Sequence, residues 1–194
     1  MHACTFADFM RGGLCRTFYI GLCIAIPQSM KTPEYWIRHL ELLPHPEGGF
    51  YKETYRASES VPAAGLPARF GASRNFSTAI YFLLRSHDRS LFHRIKSDEL
   101  WHYHAGSSLT IYILTDSGVV TRTLGPDIEN GESLQVVVPA NCWFGAKVAA
   151  ANSYTLSGCT VAPGFDFADF ELADRHTLLK TFPAAGSIIE LLTN

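Results

Sequence analysis

From Ser77 to Val161 the chain is a succession of short runs rich in Val, Ile, Leu, Thr and aromatic residues, each closed within a few positions by turn residues. The runs cover 77–84, 90–96, 99–105, 109–114, 119–124, 134–138, 143–148 and 154–161, with Gly118, Gly125-Pro126, Asn130-Gly131 and Pro139-Ala140-Asn141 among the breaks. Runs this short and this regularly interrupted predict an all-β sandwich, jelly roll or small barrel. Helices belong only at the flanks. Thr32-Pro33-Glu34 is a helix start, with Thr as N-cap and Pro in the first turn, and the helix over 33–42 should bury Trp36, Ile37 and Leu40 before Pro44 and Pro46 stop it. A second helix is predicted over 173–182, followed by an apolar tail at 186–192.

The 194 residues, 47% of them hydrophobic, suit one domain at 30–194 with a substantial core. A formal net charge of −2, with acids and bases interspersed, supplies neither a basic stripe for nucleic acid nor a polybasic membrane patch. Residues 1–29 differ from the rest: Asp8 is the sole acid, and the apolar run 18–27 is too short to span a bilayer as a helix. This leader reads as non-structural, a targeting segment or an extension ahead of a start at Met30. The five cysteines form no Cys-x-x-Cys pair, so a reduced, cytoplasmic setting is the simpler expectation, with organellar or secretory targeting by the leader as the alternative.

Chemistry concentrates in 92–106, where His93, His102, His104, Asp98 and Glu99 are interleaved with β-type residues. If two strands meet at Lys96-Ser97-Asp98, the period of two puts His93 and Ile95 on one face, and Glu99, Trp101 and Tyr103 on one face of the next strand. His102 and His104 then point the other way. The stretch resembles the first cupin motif, in which a His-x-His pair is followed by Glu and then Gly. His93, Ile95, Glu99 and Gly106 fall on those positions, and the second motif is similar to Pro139–Phe144, with Phe144 at its last ligand position. Ile95 and Phe144 have no lone pair, and His93 with Glu99 supplies two ligands where a transition metal takes three or four. The expectation is therefore a site without metal or other cofactor.

Pro46-Glu47-Gly48-Gly49, Thr78-Ala79-Ile80-Tyr81, Asp98-Glu99-Leu100-Trp101-His102 and Ala162-Pro163-Gly164-Phe165-Asp166-Phe167 resemble, in order, the motifs of the cupin-5 family. The resemblance implies a jelly-roll barrel with a few short flanking helices, usually an intertwined homodimer, related in shape to epimerases of sugar nucleotides. It implies no particular reaction.

On that fold His93 and Glu99 face the barrel interior, and the reading is a metal-independent epimerase or isomerase acting on a sugar or nucleotide-sugar type carbonyl compound. His93 is the base, Glu99 orients it, and Tyr81 or Tyr51 is the acid. Ile95, Trp101, Tyr103 and Phe144 give the pocket apolar and aromatic walls, and Glu47, Lys52, Glu53 and Arg56 either place charge near a phosphate or carboxylate of the substrate or form a solvated strand face. Two other readings fit the same residues: a sensing module that binds a ligand unchanged, and a metal-dependent oxygenase or isomerase completed by His102 or His104. The loop 58–75 is the candidate lid or oligomer contact, and Asp166 and Asp169 are candidate caps of the final helix. No phosphate-cradling loop, nucleophile elbow or dinucleotide fingerprint is present.

Overall fold

The computed structural model describes residues 31–194; the expected leader lies outside them. The strands are β1 (Leu43–Pro44), β2 (Phe50–Arg56), β3 (Ser60–Val61), β4 (Arg74–Asn75), β5 (Thr78–Arg85), β6 (Ser90–Arg94), β7 (Asp98–Gly106), β8 (Leu109–Thr115), β9 (Gly118–Leu124), β10 (Gln135–Val138), β11 (Phe144–Val148), β12 (Tyr154–Ala162) and β13 (Glu171–Leu172). They form a six-stranded sheet ordered β1-β2-β5-β12-β7-β10 and a five-stranded sheet ordered β13-β6-β11-β8-β9, while β3 and β4 pair separately. Neighbouring strands within these sheets run antiparallel, which is the expected cupin jelly roll.

Alternation along the strands sorts apolar side chains into three layers. Between the sheets lie Phe82, Leu84, Trp101, Leu109, Ile111, Val136, Phe144, Ala146 and Cys159. Outside the six-stranded sheet, Trp36, Ile37 and Leu40 of the first helical segment meet Leu42, Leu83 and Leu156. Outside the five-stranded sheet, Leu178, Ala185, Ile189 and Leu192 cover Phe92 and Leu114. Helix α1 (Pro33–His39) starts as expected, with the Tyr35 amide donating to Thr32 Oγ1, and the chain reverses at Glu41, φ +54°. The closing helix α2 (Arg175–Thr181) is capped by Asp174, and the apolar tail is a further turn of helix, α3 (Gly186–Leu191).

Asp166 and Asp169 are corrected: neither caps the final helix. Asp166 accepts the Ala168 amide in a short turn, and Asp169 is buried against Arg74, which donates to its two oxygens at 2.6 Å each, with Lys96 Nζ 3.0 Å away. That ion pair fastens the 58–75 loop, whose Phe70 is also buried, to the segment after β12. Of the two roles expected for the loop, lid or oligomer contact, this anchoring counts against the lid.

Candidate functional site

Two paired glycines set the site's position. The turn 45–49 closes through hydrogen bonds from Gly48 N to His45 O and from His45 N to Gly49 O, with φ of +110° at Gly48 and +71° at Gly49. A Cβ on Gly48 would lie 2.1 Å from the Arg89 carbonyl oxygen, so glycine is what lets the turn press against the start of β6. Leu91 N donates to the Glu47 carbonyl, and Ser90 Oγ donates to Glu47 Oε1 at 2.8 Å. The second carboxyl oxygen, Glu47 Oε2, lies 3.0 Å from His93 Nε2.

The expected His93–Glu99 pair is thus corrected: the carboxyl bonded to His93 belongs to Glu47. His93 Nδ1 lies 2.7 Å from the Leu91 carbonyl oxygen, which can only accept, so Nδ1 carries a proton. The contact at Nε2 then holds one proton, shared between imidazole and carboxyl. Burial drives the Glu47 pKa well above the usual carboxylate range and lowers that of His93 to about 3. Both shifts favour the uncharged form, a carboxylic acid donating to a neutral imidazole, over an ion pair. His45 completes the cluster: its Nδ1 accepts the Glu47 amide at 3.3 Å, and burial lowers its pKa to about 4.

Glu99 faces the same cavity from β7 in the other sheet. Burial raises its pKa to about 7, offset in part by a hydrogen bond from the Cys159 thiol, and its charge acts on Glu47. The cavity, about 310 Å³, is lined by His45, Glu47, Tyr51, Glu53, Arg56, Ile80, Phe82, His93, Ile95, Glu99, Trp101, Cys159 and the Phe165–Phe167 stretch with Phe170, among others. Trp101 Nε1 is buried and has no hydrogen-bond partner.

Of the residues singled out in the sequence, the cavity brings together His93, Glu99, Tyr51, Glu53, Ile95 and Trp101. Three others are corrected. Tyr81 alternates with Ile80 and Phe82 and so lies outside the six-stranded sheet, packed with Leu83 and Leu156 near His104. Tyr103 sits farther along β7, where its hydroxyl donates to the Gly106 carbonyl. Phe144 stands behind His93, ring centroids 4.1 Å apart, as core rather than cavity wall. His102 and His104 are off the cavity; His102 accepts from Gln135 Nε2 and donates to Thr160 Oγ1.

Sequence reasoning passed over His45 and the aromatic trio Phe165, Phe167 and Phe170, and weighed Glu47 and Arg56 only as general charge. Arg56 is cavity-lining because of a bulge. The register of β2 against β5 shifts between Glu53 and Tyr55, so Thr54 is an extra residue that brings Arg56 to the face of Tyr51 and Glu53. Arg56 donates to both Glu53 oxygens, at 3.0 and 2.7 Å, and through Nη1 to Asn75 Oδ1 and the Phe165 carbonyl.

A metal of the kind cupins hold does not fit this donor set. Ile95 and Phe144 replace two ligand positions, and both nitrogens of His93 are already engaged. Among the described residues no cluster of three or more His, Cys, Asp or Glu side chains has a metal-holding arrangement.

The chain is similar to one curated protein and to solved structures over most of its length. An uncharacterised protein of Saccharomyces cerevisiae, YML079W, is 30% identical over 168 residues, covering 81% of this chain and 80% of its own length. Two solved structures superpose along nearly all of their chains. The Shewanella oneidensis protein SO0799 is 38% identical with a TM-score of 0.77, covering 85% of this chain and 99% of its own. A hypothetical protein from Leishmania major is 35% identical with a TM-score of 0.75, covering 84% and 98%. The family model of Cupin_5, cupin superfamily (DUF985), matches residues 34–173, and the chain belongs to that family.

Proposed function

We propose that the protein is a metal-independent acid–base catalyst that epimerises, isomerises or dehydrates a small carbonyl compound of the sugar type. The observation that carries this reading is the 3.0 Å Glu47 Oε2–His93 Nε2 contact, a single-proton pair held in an aromatic-walled cavity that also contains Glu99. Glu99, with its pKa near 7, is partly ionised at neutral pH and takes the proton from the carbon next to the carbonyl. The freed electron pair moves into a carbon–carbon double bond as the carbonyl oxygen receives a proton from the Glu47–His93 pair, giving an enediol. Return of a proton to the other face of the same carbon, as the enol hydroxyl gives its proton back to the Glu47–His93 pair, yields the epimer. Protonation of the neighbouring carbon, as the other enol hydroxyl loses its proton, yields the isomer. Departure of a β-hydroxyl that takes up a proton and leaves as water, as an enol hydroxyl loses its own, yields the dehydration product. Of the two tyrosines weighed as the acid, Tyr51 lines the cavity and Tyr81 does not.

All three outcomes begin with the same carbon–hydrogen cleavage, so one assay covers them. Free sugars, sugar phosphates and nucleotide sugars incubated with the protein in D2O should take up deuterium beside the carbonyl in at least one case, by proton NMR. His93→Gln and Glu99→Gln should each lower that exchange at least about a hundredfold, the usual size of an acid–base contribution. Absence of exchange across all three classes refutes the proposal.

A ligand-binding module without turnover is the second reading, favoured by the 2% exposure of His93, whose ring nitrogens both have internal partners. The homodimer stays with the proposal as an expectation of the family resemblance, to be checked by sedimentation equilibrium. Among the described residues no helix is long and apolar enough to cross a membrane, and Cys142 and Cys159 are both unpaired, in keeping with a reducing compartment.

A further inference from the structure

We infer that the cavity takes an uncharged polyhydroxylated ligand, a free sugar of monosaccharide size, and rejects the phosphate and nucleotide esters of the same sugar. The inference rests on the sugar-type reading above and narrows it by charge.

Phosphate esters need a cation to meet them, and Arg56 is the one Lys or Arg side chain lining the cavity. Its guanidinium is already committed. Nε and Nη2 are on the Glu53 carboxylate, and Nη1 is on Asn75 Oδ1 at 2.9 Å and the Phe165 carbonyl at 3.1 Å. Asp166 lines the same cavity and lies close enough to act on Arg56 electrostatically. Glu53 and Asp166 against Arg56 leave a net negative charge. Deeper in, Glu47 and Glu99 add only neutral or negative carboxyl groups, and His93 and His45 are held uncharged by burial. Displacing Glu53 from the exposed Arg56 pair costs little in itself, but an anion there would still lie beside Glu53 and Asp166, and deeper in it would be desolvated next to carboxyl groups without a counter-charge, which is costly.

An uncharged sugar meets none of these obstacles. Its ring faces suit the rings of Tyr51, Phe82, Phe167 and Phe170, and its hydroxyls can donate to Glu53 and Asp166. Volume agrees: about 310 Å³ is at the small end of the roughly 300–1,000 Å³ of ligand pockets, room for one sugar ring.

The test compares matched pairs, D-glucose with D-glucose 6-phosphate and D-fructose with D-fructose 6-phosphate, by saturation-transfer NMR and calorimetry on the full chain. At least one uncharged sugar should bind, and at least about tenfold more tightly than its ester, a difference of about 1.4 kcal/mol. Glu53→Gln should release Arg56 and bring the ester level with or ahead of the sugar. Asp166→Asn, which keeps a side-chain acceptor for the Ala168 amide, should shift the ratio in the same direction. An ester that binds wild type as tightly as its sugar, or no binding by either sugar, overturns the inference. Deuterium exchange on the same samples separates the two claims. A sugar that binds more tightly than its ester, with no exchange in any of the three classes, sustains the charge selection and removes the acid–base reading; an ester that binds as tightly as its sugar and exchanges does the reverse.

Discussion

At the scale of single residues, the Glu47–His93 contact decides what the cavity can do with a proton. The Leu91 carbonyl fixes the proton on Nδ1, so Nε2 is left to Glu47 and the ring is held in one tautomer. Long-range proton–nitrogen NMR should show His93 as the neutral Nδ1–H form from pH 8 down to about 5, without the titration near 6.5 of an ordinary histidine. A titration midpoint above 6 would mean that the pair is ionic. Glu47→Ala should leave Nε2 open to water or ligand and let the tautomers mix. In the sequence, Glu47 was visible only as an acid before two glycines. Its role depends on a turn docking against β6 from more than forty positions away, a distance that no spacing rule spans.

Among the elements, the segment after β12 and the 58–75 loop are joined by the buried Arg74–Asp169 pair. Arg74 and Asp169 have side chains only 4% exposed, and Arg74 also donates to the Ser73 and Phe70 carbonyls. Removing Arg74 leaves the buried Asp169 carboxylate with only the partly exposed Lys96 as counter-charge. Arg74→Met should therefore cost about 3 kcal/mol in denaturant unfolding, the low end for breaking a buried pair, and Arg74→Met with Asp169→Leu distinctly less than the sum of the two single changes. Because Phe167 and Phe170 flank Asp169 in that segment, Arg74→Met should also weaken ligand binding at the cavity mouth. The strand pattern was readable from β5 to β12, since alternation and turn residues are local signals. This clamp was not, because a lone Arg in a loop and a lone Asp after a Pro-Gly turn carry no mark of each other.

For the whole molecule, the buried titrating groups set how stability responds to pH. Glu99, raised from an ordinary 4.5 to about 7, contributes stability that is fully present below 4.5 and lost as pH rises to 7. His45, lowered from 6.5 to about 4, contributes stability present above 6.5 and lost as pH falls to 4. The Glu47–His93 pair binds one proton when folded, as the unfolded chain's two groups do between about 4.5 and 6.5, so it penalises departures on either side of that window. The rise from His45 and the fall from Glu99 largely cancel, His104, lowered by partial burial, adds a rise towards 6.5, and the lowered Glu41, Asp88, Asp169 and Asp174 act only below about pH 4.5. Denaturation should show a plateau that slopes gently upward between about pH 4.5 and 6.5, with losses beyond both ends. Glu99→Gln should tilt that plateau upward with pH, its stability relative to wild type growing by on the order of 3 kcal/mol between pH 4.5 and 7. A difference that does not change with pH would mean that Glu99 is ionised at its ordinary range.

Strand spacing made a sandwich, jelly roll or small barrel legible, and the family resemblance narrowed it to the jelly roll and marked the apolar Ile95 and Phe144 as a lost ligand pair. What escaped was the single extra residue at Thr54. A strand counts in twos, so one inserted position acts as a parity switch: everything before it keeps its side, and everything after it changes over. Deleting Thr54 should restore even parity, send Arg56 outward and carry Tyr55, now 54% exposed, into the cavity mouth. The same composition would then present a phenol where it presents a guanidinium, and ligand charge preference would change with no other position altered. Binding of the matched sugar and ester pairs to that deletion variant reads the switch directly. In this fold, the parity of one edge-proximal strand is a heritable means of changing what the barrel admits.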